Sequence, residues 1–280
     1  MSPANKNLLL RVGSAAVLLP IVLYLVWLGG WSFAILVAVI AALCAWEMVG
    51  MVLRPCPLPF RLTIVGASVA VPLYFGLEQS PSGQVVLAGL VSLLILFWLA
   101  SLLAPGEDLQ AVPGRVALAM TTVLYTGGLL ATAVLLRQLE AGAWWLVLVL
   151  AITFLADTGA YFAGRAFGRR KLYPRVSPNK TWEGFFGGLL AGMIGAVGVV
   201  LVSRTLGQVG LPMGLVMAAG LGVVVAAFAS AGDLCESLLK RAFMVKDSGS
   251  LIPGHGGMLD RVDALLFTGP LVWLWAVLLG

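Results

Sequence analysis

Five acids, Asp157, Asp233, Glu236, Asp260 and Asp263, fall at the ends of three apolar runs long enough to cross a membrane. Acids in such segments are costly, and they face a bundle interior or an aqueous cavity. Asp233 and Glu236 stand three apart and share one helix face. Glu236 and Lys240 stand four apart, the spacing of an ion pair on a helix. Asp260 and Asp263 repeat the three-residue spacing at the start of the last run. Asp260 alone reads equally well as an N-terminal cap, for which Asp is favoured. Several acids arriving together from three helix ends make an oxygen-rich site suited to Mg²⁺, which takes one or two carboxylates and completes its shell with substrate phosphates.

The cations point the same way. Ser237 to Asp263 gathers four cations, three acids and the only histidine into 27 residues. Charged residues are only 10% of the whole chain, against roughly 25% in a soluble domain. Arg169, Arg170 and Lys171 are explained by topology or by attraction to anionic lipid. Lys180, Lys240, Arg241, Lys246 and Arg261 are interleaved with acids and glycines, which suits phosphate binding. Gly254, Gly256 and Gly257 surround His255, and glycines there imply a turn packed against a bound group. Acids, Lys/Arg and a glycine turn together describe a membrane enzyme that handles phosphate. The residues alone do not name its substrate.

The elements that must position these groups follow from hydropathy. The chain has 280 residues, is 61% hydrophobic and has a mean hydropathy of +1.04. In water such a composition would expose large apolar patches, so lipid is its solvent. A spanning helix needs roughly 20 mostly apolar residues. Nine candidates run over 9–28, 31–53, 62–77, 85–104, 116–136, 143–163, 184–203, 213–232 and 262–279. The expected fold is therefore all-α and polytopic. The first run, preceded by Lys6 and Arg11, is read as a retained helix rather than a cleaved signal. With the N-terminus in the cytoplasm, fifteen of the seventeen Lys and Arg fall on the cytoplasmic side, and only Arg137 and Arg204 fall outside. Residues 1–142 then form about five N-terminal spans. Residues 143–280 form the catalytic region of about four spans, with cytoplasmic polar segments 157–183 and 232–263, the whole being a single integral membrane unit. Gly184, Gly187, Gly188, Gly192, Gly195 and Gly198 mark one span as a packing seam. Cys44, Cys56 and Cys235 have neither disulfide nor metal spacing and read as small buried residues.

Ser237, Leu239-Lys240-Arg241, Lys246-Asp247, Gly249, Ile252-Pro253, His255-Gly256-Gly257-Met258 and Asp260-Arg261-Val262-Asp263 together resemble the complete signature of the phosphatidate cytidylyltransferases, the CDP-diacylglycerol synthases. The upstream Asp157, Ala160-Tyr161, Gly164-Arg165, Ser177-Pro178, Lys180-Thr181 and Glu183-Gly184 resemble the same family. The resemblance implies transfer of the cytidylyl group of CTP to phosphatidic acid, with release of pyrophosphate. It implies that Asp233 and Asp260 hold the catalytic metal, expected to be Mg²⁺ alone or with a second cation. Asp157, Glu236, Asp247 and Asp263 are second choices for that role. Lys180, Lys240, Arg241, Lys246 and Arg261 would hold phosphates. His255 would either donate to a phosphate or shape the turn. Ser177, Asn179, Lys180, Thr181 and Glu183 are candidates for nucleotide contact. The implied partners are CTP, phosphatidic acid and membrane lipid, with a homodimer as the suggested assembly and no nucleic acid. The implied setting is the cytoplasmic (inner) membrane, with the active site facing the cytoplasm and a polar cavity open sideways to lipid. CTP-dependent activation of another lipid is the nearer alternative. An ion-coupled transporter is the more distant one, because the charge is concentrated in the second half and no internal repeat is visible.

Overall fold

A backbone in lipid must satisfy its own N–H and C=O groups, so the apolar runs form helices. The computed structural model describes residues 19–77, 83–102, 109–206, 209–249 and 256–279. Helix α1 covers Leu19–Leu28. It is followed by α2 (Gly30–Val52), α3 (Leu58–Leu77) and α4 (Gly83–Leu102). The next span, Leu109–Gln138, is one helical rod in four parts. A 3₁₀ turn (Leu109–Ala111) leads into α5 (Val112–Thr122), a π turn (Val123–Gly128) and α6 (Leu129–Gln138). Then come α7 (Gly142–Phe167), strands β1 (Lys171–Tyr173) and β2 (Ser177–Thr181), α8 (Trp182–Leu206), α9 (Leu215–Ala242) and α10 (Leu259–Leu279).

Among the described residues, eight helices are long and apolar enough to cross a membrane. The remaining expected span, 9–28, overlaps α1, and its residues 9–18 lie outside the described residues. Most boundaries differ from the hydropathy reading, and three of the differences bear on the polar end of the bundle. Helix α7 continues past 163 to Phe167, α9 continues past 232 to Ala242, and α10 starts at Leu259 rather than 262. The extra turns carry charge, so apolar content ends before the helix does. The segment between α7 and α8 also contains a short antiparallel hairpin, with Lys171 paired to Thr181 and Tyr173 to Ser177.

Chain direction places the site. The helices alternate in direction, so the C-terminal ends of α2, α7 and α9 and the N-terminal ends of α3, α8 and α10 lie at one end of the bundle. The hairpin joins α7 to α8 at that end. Apolar residues such as Leu94, Ile95, Trp98 and Leu99 of α4 are exposed on the flanks, as a lipid-facing surface requires.

Helices α7, α8 and α9 approach closely along a glycine seam. A Cβ placed at Gly159 would lie 2.5 Å from Ala191 Cβ and 2.7 Å from Gly187 O. One placed at Gly192 would lie 2.6 Å from Ala226 Cβ, and one at Gly188 2.9 Å from Ala156 O. Gly198 does not belong to the seam, because nothing lies within 4 Å of its position for a Cβ. Gly159→Val should therefore overpack the seam and cost about 1–3 kcal/mol. Gly198→Ala should be neutral or slightly stabilising, since Ala is the better helix former. Thermal unfolding of the two variants in detergent separates these outcomes, and equal melting would remove the seam.

Candidate active site

Thr181 ends β2 and caps α8. Its Oγ1 accepts the Gly184 N–H at 3.1 Å, the bond an N-cap residue makes to the third residue of its helix. Glu183 accepts the backbone N–H groups of Arg169, at 3.0 Å, and of Arg170, at 3.3 Å. These contacts lock the hairpin onto the start of α8. They also commit Glu183 to the backbone of the preceding loop. The neighbouring Lys180 is left to point across to α9, where its Nζ sits 2.8 Å from Asp233 Oδ2 and donates to the Ser230 carbonyl at 3.4 Å. Asp233 Oδ1 accepts the Ser237 hydroxyl at 3.3 Å.

Between α7, α8, α9 and the hairpin lies a cavity of about 530 Å³, within the roughly 300–1,000 Å³ range of small-molecule sites. Asp157, Asn179, Lys180, Thr181 and Asp233 line it, together with Tyr161 and Arg165, which sequence reasoning quoted without a role. Ser177, Glu183, Arg241, Lys246, Asp247 and Arg261 are not on its wall. Of these, Arg241 ties α9 to the hairpin, with Nε directed at the Val176 carbonyl at 3.5 Å. Lys246, Asp247 and Arg261 are exposed. His255 lies outside the described residues.

A second group of charges packs beside the first. Lys240 Nζ is 2.5 Å from Glu236 Oε2, one helical turn back, and 2.6 Å from Asp260 Oδ1 on α10. Glu236 is only 1% exposed, and its carboxylate is ion-paired with Lys240. The other oxygen of Asp260 accepts Gly257 N at 2.9 Å, Ser248 N at 3.1 Å and the Ser248 hydroxyl at 2.9 Å. Asp260 thus folds the chain around itself. The N–H groups of Met258 and Leu259, at the start of α10, are capped instead by Glu47 of α2, at 3.0 and 2.9 Å.

Glu47 is the residue that sequence reasoning missed. Its signal was available, as an acid inside the apolar helix Gly30–Val52. It also explains a glycine. A Cβ at Gly257 would lie 2.8 Å from the Glu47 carboxyl carbon. The group packed against this turn, expected above to be a ligand, is at Gly257 a carboxylate of the protein itself.

Charge balance tests whether the residues suit a metal ion. Asp157, Asp233 and Asp263 are close enough to act on one another electrostatically, and Asp263 also feels Lys240. Among the described residues, neither Asp157 nor Asp263 is ion-paired with a Lys or Arg. Five carboxylates at this end of α7, α9 and α10 therefore face two lysines in contact and Arg165 on the cavity wall. Unpaired carboxylates in a low-dielectric setting are expensive, and a divalent cation would offset that cost. Among the described residues, no three His, Cys, Asp or Glu side chains form a ready cage. An ion held by one or two carboxylates and completed by substrate oxygens fits this arrangement.

Comparison with known proteins covers the chain from end to end. A family model described as the cytidylyltransferase family matches residues 9–279. A phosphatidate cytidylyltransferase of Pseudomonas aeruginosa is 38% identical over 279 residues, covering 95% of this chain and 96% of its own length. One from Brucella suis is 32% identical over 276 residues, covering 98% and 94%. One from Bacillus subtilis is 43% identical over 122 residues, covering 44% and 43%. Because the similarity takes in the apolar helices as well as the polar end they carry, the chain belongs to the cytidylyltransferase family.

Proposed function

We propose that the protein transfers the cytidylyl group of CTP to phosphatidic acid, giving CDP-diacylglycerol and pyrophosphate. The observation that carries this reading is the chain-long similarity to proteins named phosphatidate cytidylyltransferase, joined to a cavity whose polar wall includes Asp157, Arg165, Asn179, Lys180 and Asp233. In the reaction an oxygen of the lipid phosphate bonds to the α-phosphorus of CTP. The bond from that phosphorus to the bridging oxygen breaks, and pyrophosphate leaves with the electron pair. A phosphate monoester has its second pKa near about 6, so the lipid phosphate is already a nucleophile at neutral pH and needs no strong base. The obstacle is repulsion between two polyanions, so catalysis rests on charge neutralisation and alignment.

Lys180 and Arg165 reach the cavity and would hold phosphate oxygens; Asn179 would contact the nucleotide. Asp233 is both a cavity residue and the centre of the acidic group, so it would hold a Mg²⁺ ion, with Asp260 on the adjacent helix and Asp157 and Asp263 within electrostatic reach. The ion would neutralise charge on the α-phosphoryl group and the departing pyrophosphate. Phosphatidate keeps its acyl chains in the bilayer. Trp182 and Phe186, exposed beside the cavity residue Phe185, supply aromatic surface of the kind that sits at a membrane interface. CTP is cytosolic, so this end of the bundle would face the cytoplasm, as the excess of Lys and Arg there favours.

The test is to incubate the purified full chain with labelled CTP and phosphatidic acid in mixed micelles, with Mg²⁺ or with a chelator. One CDP-lipid per pyrophosphate is expected with Mg²⁺, and none with the chelator. No CDP-lipid under conditions in which a relative is active would overturn the assignment. Product from another phospholipid in place of phosphatidic acid would move the protein to the neighbouring activity.

A further inference from the structure

The geometry points to Glu47 as a positioning residue that holds Asp260 and the segment around it in place for the reaction. This inference rests on the function proposed above. Glu47 lies in α2, more than 200 positions from the residues it contacts, and is 5% exposed. It accepts the N–H groups of Met258, at 3.0 Å, and Leu259, at 2.9 Å, and its Oε2 lies 3.1 Å from the Ser248 hydroxyl, whose one proton it shares with Asp260 Oδ2. These donors come from both flanks of one segment, Ser248 before it and Met258-Leu259 after it. Asp260 grips the same flanks, through Ser248 N, the Ser248 hydroxyl and Gly257 N. The two carboxylates thus share Ser248 and tie it to the first turn of α10. Asp260 passes the constraint on through Lys240 to Glu236. Anything that releases Glu47 releases the Ser248 flank and the first turn of α10, on which Asp260 and Asp263 sit.

Shape supports the same assignment. A Cβ at Gly249 would lie 2.5 Å from Glu47 Oε1, and one at Gly257 2.8 Å from its carboxyl carbon. Gly249 therefore has no room for a side chain because of the Glu47 carboxylate, and Gly257 has none because of that carboxylate and, closer still, the Ser248 hydroxyl it binds. No smaller or neutral group does this work. An amide has one acceptor oxygen and would turn an NH₂ toward backbone N–H donors. A carboxylate one methylene shorter would retract from them.

The test uses purified full-length protein and four forms: wild type, Glu47→Gln, Ser248→Ala and the double variant. If Glu47 acts through Ser248 and Asp260, Glu47→Gln lowers kcat by about 10–100-fold, the range typical of groups that orient a metal ligand, with KM for CTP nearly unchanged. The double variant then loses little more than the worse single, because residues in one hydrogen-bond network are non-additive. Amide hydrogen exchange should also quicken at Ser248 and at Met258-Leu259, with the rest of the bundle unchanged. A wild-type kcat in Glu47→Gln, or losses that multiply in the double variant, overturns the inference. If Glu47→Gln is not recovered from the membrane, Glu47→Asp and its double with Ser248→Ala carry the same comparison. Failure of the wild type to form CDP-lipid would instead defeat the proposed function, and the exchange experiment would still decide whether Glu47 holds the segment.

Discussion

Asp233→Asn should lower kcat for CDP-lipid formation by about a thousandfold, because metal-assisted charge stabilisation is worth several kcal/mol and each 1.4 kcal/mol is about tenfold. The substitution keeps the size of the side chain and one acceptor oxygen. It removes the charge that faces Lys180 at 2.8 Å and that acts electrostatically on Asp157 and Asp263. Little of the fold depends on that charge. Asp233 lines an open cavity, and its second oxygen takes one long bond, 3.3 Å, from Ser237. The variant should therefore accumulate in the membrane and melt close to the wild type. Ser237→Ala, which removes only that bond, should cost less than about tenfold. The discriminating measurement is kcat against Mg²⁺ concentration for the two variants. A loss in Asp233→Asn that high Mg²⁺ partly restores supports a ligand role. A loss confined to KM for CTP would make Asp233 an orienter of Lys180 instead, and a wild-type rate would remove it from the site.

The helical part of this architecture was legible because lipid leaves a backbone few options and apolar length alone marks a span. Where charge enters a helix, that reading ends too early. Helix α9 was expected to stop near 232, yet Asp233, Glu236, Lys240 and Arg241 all lie on its continuation to Ala242. The charges on those extra turns are paired, Lys180 with Asp233 and Lys240 with Glu236 and Asp260. The i,i+4 spacing announced the Glu236–Lys240 pair, since both partners lie on one helix. The link to Asp260 crosses helices and follows no spacing rule. The hairpin of β1 and β2 gave no signal either. Its strands span Lys171–Tyr173 and Ser177–Thr181, too short for an alternating pattern, and the second contains Pro178. Glu47 is the clearest case. The sequence shows an acid in a greasy helix, but only the folded chain shows that it faces Gly249, Gly257 and the start of α10 from 200 positions away.

Lys240→Met should be the most damaging single change to stability and should slow the reaction as well. Among the described residues Lys240 is the only ion-pair partner of Glu236, and it holds Asp260 Oδ1, with side-chain exposures of 12%, 1% and 8% for Lys240, Glu236 and Asp260. Methionine fills similar space but leaves two enclosed carboxylates facing each other. Breaking a buried pair by removing one partner costs about 3–5 kcal/mol, so melting in detergent should fall sharply and less protein should reach the membrane. Arginine is no safe replacement, because its planar fork differs in size and geometry from an ammonium. The informative partner is Lys240→Met with Glu236→Gln. That pair removes the orphaned buried charge, and replacing both members of such a pair is often near neutral. Stability should then recover in the double variant, while the rate stays low by about a hundredfold, because Asp260 has still lost its fixed cation. Recovery of both would confine Lys240 to a structural role, and wild-type melting in Lys240→Met alone would show that the cluster does not bear on stability. Recovery of stability without rate would show that the charge on Lys240, and not merely the filled space, is what the reaction requires of this ion pair with Asp260.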